Sequence, residues 1–327
     1  MTSMNRNQFL KVSSLAGVGL AINPLNSCVL NSKPMKLKSI GLGLFSVPKL
    51  LENDLEGAIK VLSEMGITEF ETYGPYAFSD DRNKASWAAV TPQLGFSVSG
   101  LYGKSASEFK ALLSKYNITV PSMHTDLYTL EEHMGKLAEA ANTLGAKYVV
   151  LPSIPDHERP NIDAYKAMAE RFNKIGDNAK KEGISFAYHN HGYGLQPNEN
   201  GVTPIDYIFD GTDPKSVFFE MDLFWTVAGK ANPEELLTKH SERFKMLHIK
   251  DMRELSYFSG DGSTPDQWMA LFPQLTSAGS GVMDLKNILN TAMQNGVDHY
   301  FIEHDFAPDP IKNIGDASYY LSNLKIG

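Results

Sequence analysis

From residue 37 onward the chain repeats one pattern eight times: a short run of β-branched and aromatic residues, then a longer amphipathic stretch. The short runs begin at Leu37, Thr68, Thr119, Lys147, Ser185, Ser216, Lys245 and His299. Strands that alternate with helical segments pair in parallel through helical crossovers, which leaves two architectures, an open doubly wound sheet or a closed barrel. Helical periodicity covers 54–65, 107–116, 131–144, 163–182, 233–243, 283–294 and 311–324. Gly66, Gly145, Gly183 and Gly296 each end such a stretch, where a left-handed C-terminal cap favours glycine. No linker-like or low-complexity segment divides 37–327, so the expectation is one α/β domain, a closed (β/α)8 barrel.

Composition narrows the function classes. A 42% hydrophobic share with 21% charged residues suits a chain that buries a sizeable core. The formal charge of −8 offers no basic excess to neutralise a phosphate backbone, so nucleic acid is not an expected partner. Gly41 and Gly43 lie inside the first strand run with no third glycine at the spacing of a dinucleotide fingerprint, which argues against a nicotinamide cofactor. With Cys28 the only cysteine, any metal must be held by His, Asp and Glu.

The N-terminus carries a different message. Val12 to Ile22 is uncharged and follows Arg6 and Lys11, too short to span a bilayer and suited to the apolar centre of an export signal. The stretch from Asn5 to Lys11 resembles a twin-arginine motif with Asn7 in place of the second arginine. Leu25-Asn26-Ser27-Cys28 resembles a lipoprotein cleavage box, in which Cys28 would become an acylated N-terminus; the alternative is a buried structural cysteine after a short amphipathic helix. The expected division is an export segment 1–27, a linker 28–36 and a barrel 37–327. The mature protein is then periplasmic or anchored to the membrane only through a lipid on Cys28.

In a (β/α)8 barrel the chemistry gathers at the C-terminal ends of the strands. Alternation along a strand puts His189 and His191 on one face of the fifth, opposite Tyr188 and Asn190. It likewise pairs Glu220 with Asp222 on the sixth, His248 with Lys250 on the seventh and Glu303 with Asp305 on the eighth. Four consecutive strands ending in imidazoles or carboxylates suit a borderline or hard divalent ion such as Mn²⁺, Co²⁺, Zn²⁺ or Mg²⁺. Two long segments after strands, 74–106 with Trp87 and 253–280 with Trp268 and Phe272, either cover the mouth as lids or pack their own aromatics on the surface.

Tyr188-His189-Asn190-His191, Asp222-Leu223-Phe224-Trp225 with Ala228-Gly229, His248-Ile249-Lys250-Asp251, Gly279-Ser280-Gly281 with Asp284, and Ile302-Glu303 follow one another in an order that resembles the sugar isomerase and epimerase branch of the xylose-isomerase-like TIM barrels. The resemblance covers 37–325. It implies one divalent ion held by a strand-five residue with Asp222, His248 and Glu303. The family's metal-binding, proton-exchanging glutamate on strand five is replaced here by Ala187, and His189 is expected as the fourth ligand with His191 in reserve. The resemblance also implies His191, Glu220, Lys250 and Glu303 as proton carriers or catalytic groups. His124, Trp225 and Tyr188 are expected around the substrate.

An ion on the carbonyl oxygen and a base at the adjacent carbon lead to an enediolate. Reprotonation isomerises or epimerises; loss of a leaving group eliminates. The resemblance puts a sugar isomerase or epimerase first. The missing strand-five glutamate and the export signal bring forward a lyase or dehydratase acting on an unphosphorylated keto-sugar or 3-keto-glycoside. A carbohydrate-binding protein without turnover is the third reading.

Overall fold

A computed structural model describes residues 36–198 and 200–326; the export segment, Cys28 and most of the 28–36 linker lie outside the described residues. Eight parallel strands close into a barrel: β1 (Gly41–Gly43), β2 (Glu69–Tyr73), β3 (Thr119–His124), β4 (Tyr148–Leu151), β5 (Ser185–His189), β6 (Val217–Asp222), β7 (Phe244–Ile249) and β10 (His299–Ile302). Each pairs with its sequence neighbour in the barrel, and β1 closes on β10 through Gly41 opposite Phe301. Two further short strands, β8 (Asp251–Met252) and β9 (Leu275–Thr276), pair antiparallel above the mouth.

The helix Ile162–Lys181 shows how sequence makes the outer layer. Asn161 caps it by accepting from the Ala164 amide at 3.0 Å, and Lys180 and Lys181 lie at its carbonyl end, where the helix dipole favours cations. Tyr165, Met168, Phe172, Ile175 and Ala179 recur at helical spacing and face the sheet. Phe172 meets Phe186 and Tyr188 of β5 at ring-centroid distances of 5.1 and 5.3 Å. Burial of each large apolar side chain contributes about 1.5–3 kcal/mol. At Gly176 a Cβ would lie 2.4 Å from the Ser216 carbonyl oxygen, so only glycine lets this helix approach the start of β6 so closely.

The four expected cap glycines all have positive φ. Two expectations change, and one long segment proves to contain a helix. The stretch expected as one helix over 131–144 is two, Leu127–Glu132 and Met134–Leu144, with the break at His133. The first strand is only Gly41–Gly43, because the chain turns into a 3-10 segment at Leu44–Ser46. The long segment 74–106 contains a helix, Asp81–Leu94, capped by Asp80 and ended by Gly95. None of its side chains is fully buried and its apolar residues form no stripe, so it carries no periodic signature. Among the described residues no helix is long and apolar enough to cross a membrane.

Inside the barrel the strands build layers. Tyr148, Val150, Ala187, Met246 and Phe301, with Phe218 beneath, fill the lower interior as an apolar plug. Two residues further along the same strands the inward side chains become His189, Glu220, His248 and Glu303. The plug makes the barrel floor, and the ionisable layer rests on it.

Candidate metal and active site

His124 from β3, His189 from β5, Glu220 from β6 and His248 from β7 offer donor atoms that all lie within 4.8 Å of one another; Asp222, His248 and Glu303 form a second such group sharing His248. Every one of these side chains is buried. The ladders place four of these residues directly: His189 of β5 is opposite Glu220 of β6, and Asp222 of β6 is opposite His248 of β7. Asp222 is further fixed as the cap of the helix Leu223–Ala228, accepting from the Trp225 amide at 3.0 Å. On the other side, Gly41 and Gly43 leave the room that Phe301 and Glu303 occupy. A Cβ on Gly43 would lie 2.8 Å from Glu303 Oε1.

The centre is a chain of charge-assisted contacts. His248 Nδ1 is 2.7 Å from Glu303 and its Nε2 is 2.5 Å from Glu71 of β2. His124 Nε2 lies 2.9 Å from Glu71 and 2.7 Å from Glu220, and His189 Nδ1 is 2.9 Å from Glu220. Lys250 directs Nζ at Asp305, Glu303 and Asp222 at 2.7, 2.8 and 2.9 Å. Glu220 Oε1 and Asp222 Oδ2 have no hydrogen-bond partner; the Lys250–Asp222 approach is close enough for charge attraction but misaligned for a hydrogen bond. Orphaned carboxylate oxygens beside two histidines are what a divalent ion would satisfy, so the donor set fits one.

Burial opposes charge on His124, yet Glu71 and Glu220 raise it to about 9. Burial likewise disfavours a charged His248, but Glu303, Glu220 and Glu71 hold it well above the ordinary histidine value. Burial, reinforced by Glu71, pushes Glu220 up to about 7 against the pull of His248 and His124. His189 is kept neutral by burial and by the charge of His248. Burial weakens the Lys250 ammonium, but Asp222, Asp305 and Glu303 outweigh it and hold the proton firmly.

A cavity of about 380 Å³ opens over this layer, reached by His124, His189, His191, Glu303 and Asp305 and walled by Tyr73, Trp87, Trp225, Trp268 and Phe272. Both long segments therefore contribute aromatic side chains to the cavity. Asp251 ties down the second of them, accepting from the amides of Gly279, Gly281 and Met283.

Of the residues singled out in the sequence, His124, His189, Glu220, Asp222, His248, Lys250 and Glu303 meet in one layer, and Trp225 borders it. His191 stands apart from both donor groups. β5 ends at His189, so strand alternation no longer aims the next side chain, and His191 Nδ1 bonds the Pro152 carbonyl at 2.5 Å. Tyr188 is corrected outright: it lies on the outer face of β5 against Phe172, its hydroxyl donates to Tyr193 at 3.2 Å, and it does not reach the cavity. Ala187 sits in the apolar plug, so no strand-five carboxylate enters the layer from that position. Sequence reading missed Glu71, although Glu69-Phe70-Glu71 shows the same alternation used on the later strands.

A family profile described as xylose isomerase-like TIM barrel matches residues 59–323. The chain belongs to the xylose isomerase-like TIM barrel family. Within it, an inosose dehydratase of Geobacillus thermodenitrificans is 25% identical over 240 residues, covering 65% of this chain and 78% of that enzyme. Against other proteins of that name the match spans about half of their length or less. A sugar phosphate isomerase/epimerase from Parabacteroides distasonis superposes with a TM-score of 0.68 at 24% identity, covering 88% of this chain and 94% of that one. A structure described as IOLI protein with a binding zinc atom gives a TM-score of 0.57 at 15% identity, over 86% and 96% of the two chains. The relatives of this xylose isomerase-like chain are thus enzymes, both lyases and isomerases by name.

Proposed function

We propose that the protein is a divalent-metal-dependent lyase that removes water or an alcohol from an unphosphorylated keto-sugar or 3-keto-glycoside. The observation that carries this reading is that His191 and the Lys250-paired Asp305 face one cavity above a metal-type donor set. Asp222, His248 and Glu303, with His189, would hold the ion, which supplies polarisation of the substrate carbonyl. His191 is the base. Its Nδ1 proton is engaged by a carbonyl that can only accept, so the Nε2 lone pair is the free one. Burial and the Lys250 charge hold His191 at about 3, neutral at physiological pH.

The acid lies across the cavity. Burial and Glu303 push Asp305 up to about 6 in spite of Lys250, 2.7 Å away, so the Asp305–Lys250 pair keeps a transferable proton near neutrality. His191 takes the proton from the carbon beside the carbonyl; the electrons form a carbon–carbon double bond as the oxygen on the next carbon departs with a proton from Asp305–Lys250. One C–H and one C–O bond break, and the products are an unsaturated ketone and water or an alcohol. Ala187 in the floor and the inosose dehydratase relatives support elimination. The unphosphorylated substrate rests on the export signal in residues 1–27.

Glu220, pushed up to about 7, favours a second reading: a second proton carrier on a common enediolate would make the enzyme an isomerase or epimerase. Incubating the metal-loaded enzyme with 3-keto-glycosides and keto-cyclitols in D₂O, followed by NMR, separates the two. Elimination gives an unsaturated ketone; deuterium in recovered sugar without unsaturated product sinks it in favour of the second reading.

A further inference from the structure

Beside the main cavity a groove of about 190 Å³ is lined by Phe45, Val47, Leu50, Leu94, Phe96 and Phe306 among others. Phe45 lines both spaces. Phe306 joins them across the rim: its ring meets Phe45 at 6.3 Å and Phe272, a wall of the main cavity, at 5.1 Å. Phe306 follows Asp305 immediately, so the turn that points the acid inward points this ring outward.

Two properties of Phe306 are costly without a purpose. Its φ is +53°, a left-handed conformation that is an outlier for a bulky aromatic residue, and half of its surface, 50%, is exposed. A strained, exposed aromatic on the rim of a reacting site is a place where binding recovers the cost. Resting on the keto-sugar reading above, we propose that this groove is a subsite for an apolar aglycone, so that the substrates are glycosides carrying a flat aryl or similar group rather than free monosaccharides. Lys49 is the one charged side chain in the lining, and Ser46 already spends its hydroxyl oxygen on the His304 amide at 3.1 Å. A second sugar ring would leave its hydroxyls short of partners there, whereas an aromatic ring gains edge and face contacts with Phe45 and Phe306.

The test is calorimetric titration of the Mn²⁺-loaded full chain with free sugars, methyl glycosides, phenyl glycosides and disaccharides in the gluco, galacto and xylo series. These lack the keto group, so no turnover interferes. In the series that binds, the phenyl glycoside should bind about tenfold more tightly than the methyl glycoside, with the disaccharide near the methyl value. Phe306→Asn, chosen because asparagine tolerates the left-handed backbone, should bring phenyl and methyl affinities within about twofold while leaving the methyl value unchanged. Leu94→Asp in the same lining should do the same. Equal phenyl and methyl affinities in the wild type, a phenyl advantage that survives both substitutions, or a disaccharide that outbinds the phenyl glycoside would overturn the subsite. If none of these binds, the same methyl, phenyl and disaccharide comparison is read with the 3-keto-glycosides, and binding of none of those either would overturn the keto-sugar reading and the subsite with it.

Discussion

The lower and upper layers of the barrel interior are built by the same strands, two residues apart, and are chemical opposites. Ala187 gives way to His189, Phe218 to Glu220, Met246 to His248 and Phe301 to Glu303. The lower layer is apolar, and the ionisable groups packed against it, His299 and Glu69, are paired with each other at 3.0 Å. The upper layer gathers Glu71, Glu220, Asp222, Glu303 and Asp305 around Lys250 and three histidines, an arrangement that costs desolvation energy and leaves carboxylate oxygens unpartnered. One strand geometry thus separates stability from function by a single pleat. The plug can be rigid because nothing in it must change charge. The layer above can hold an ion or pass a proton because it rests on that plug.

The largest effect should come from confusing the two layers' roles. Phe301→Ala opens a void in the plug and should cost about 3–5 kcal/mol in chemical denaturation. Lys250→Met removes the cation from the upper layer. Turnover should fall by about 10²-fold or more, and the metal-free protein should lose about 3–5 kcal/mol because three carboxylates lose their partner. Added Mn²⁺ should return part of that stability, whereas Phe301→Ala should regain only what ligand binding gives the wild type. An unchanged turnover in Lys250→Met would break the assignment of the proton donor.

Gly43→Ala tests the boundary, since its methyl group would press on Glu303. Metal affinity should fall by about 10–100-fold while the fold survives, read by competitive chelation. The pH dependence follows from the upper layer alone. His248 carries a proton that a metal must displace, its affinity for that proton raised by Glu303, Glu220 and Glu71 against the opposing effect of burial. Apparent metal affinity should therefore rise with pH, and calorimetry in buffers of different ionisation enthalpy should show proton release on binding. Affinity that falls with rising pH contradicts the protonated ground state. The smallest effect belongs outside both layers: Tyr188→Phe should cost about 1 kcal/mol for its bond to Tyr193 and leave metal binding and turnover unchanged.

The alternation that separates the layers was readable in the sequence because it is local. The parity along β5, β6, β7 and β10 puts His189, Glu220, Asp222, His248 and Glu303 on one side, and that same parity sets Tyr188 on the other. His191 was readable as a residue type but not as a position, since it lies past the end of β5, where a carbonyl and not the pleat decides its direction. Glu71 depends on which strands face each other across the closed barrel, a long-range outcome of stagger that spans 177 residues of sequence to His248. The helix Asp81–Leu94 escaped notice because a helix with no buried face leaves no periodic trace.

The upper layer should hold a metal ion and the lower one none. Elemental analysis of the purified protein and its variants tests it directly. The wild type should carry about one divalent ion per chain, lost in Asp222→Ala, His248→Ala and Glu303→Ala and kept in Met246→Leu and Tyr188→Phe. Retention of the ion in all three of the first group would contradict it.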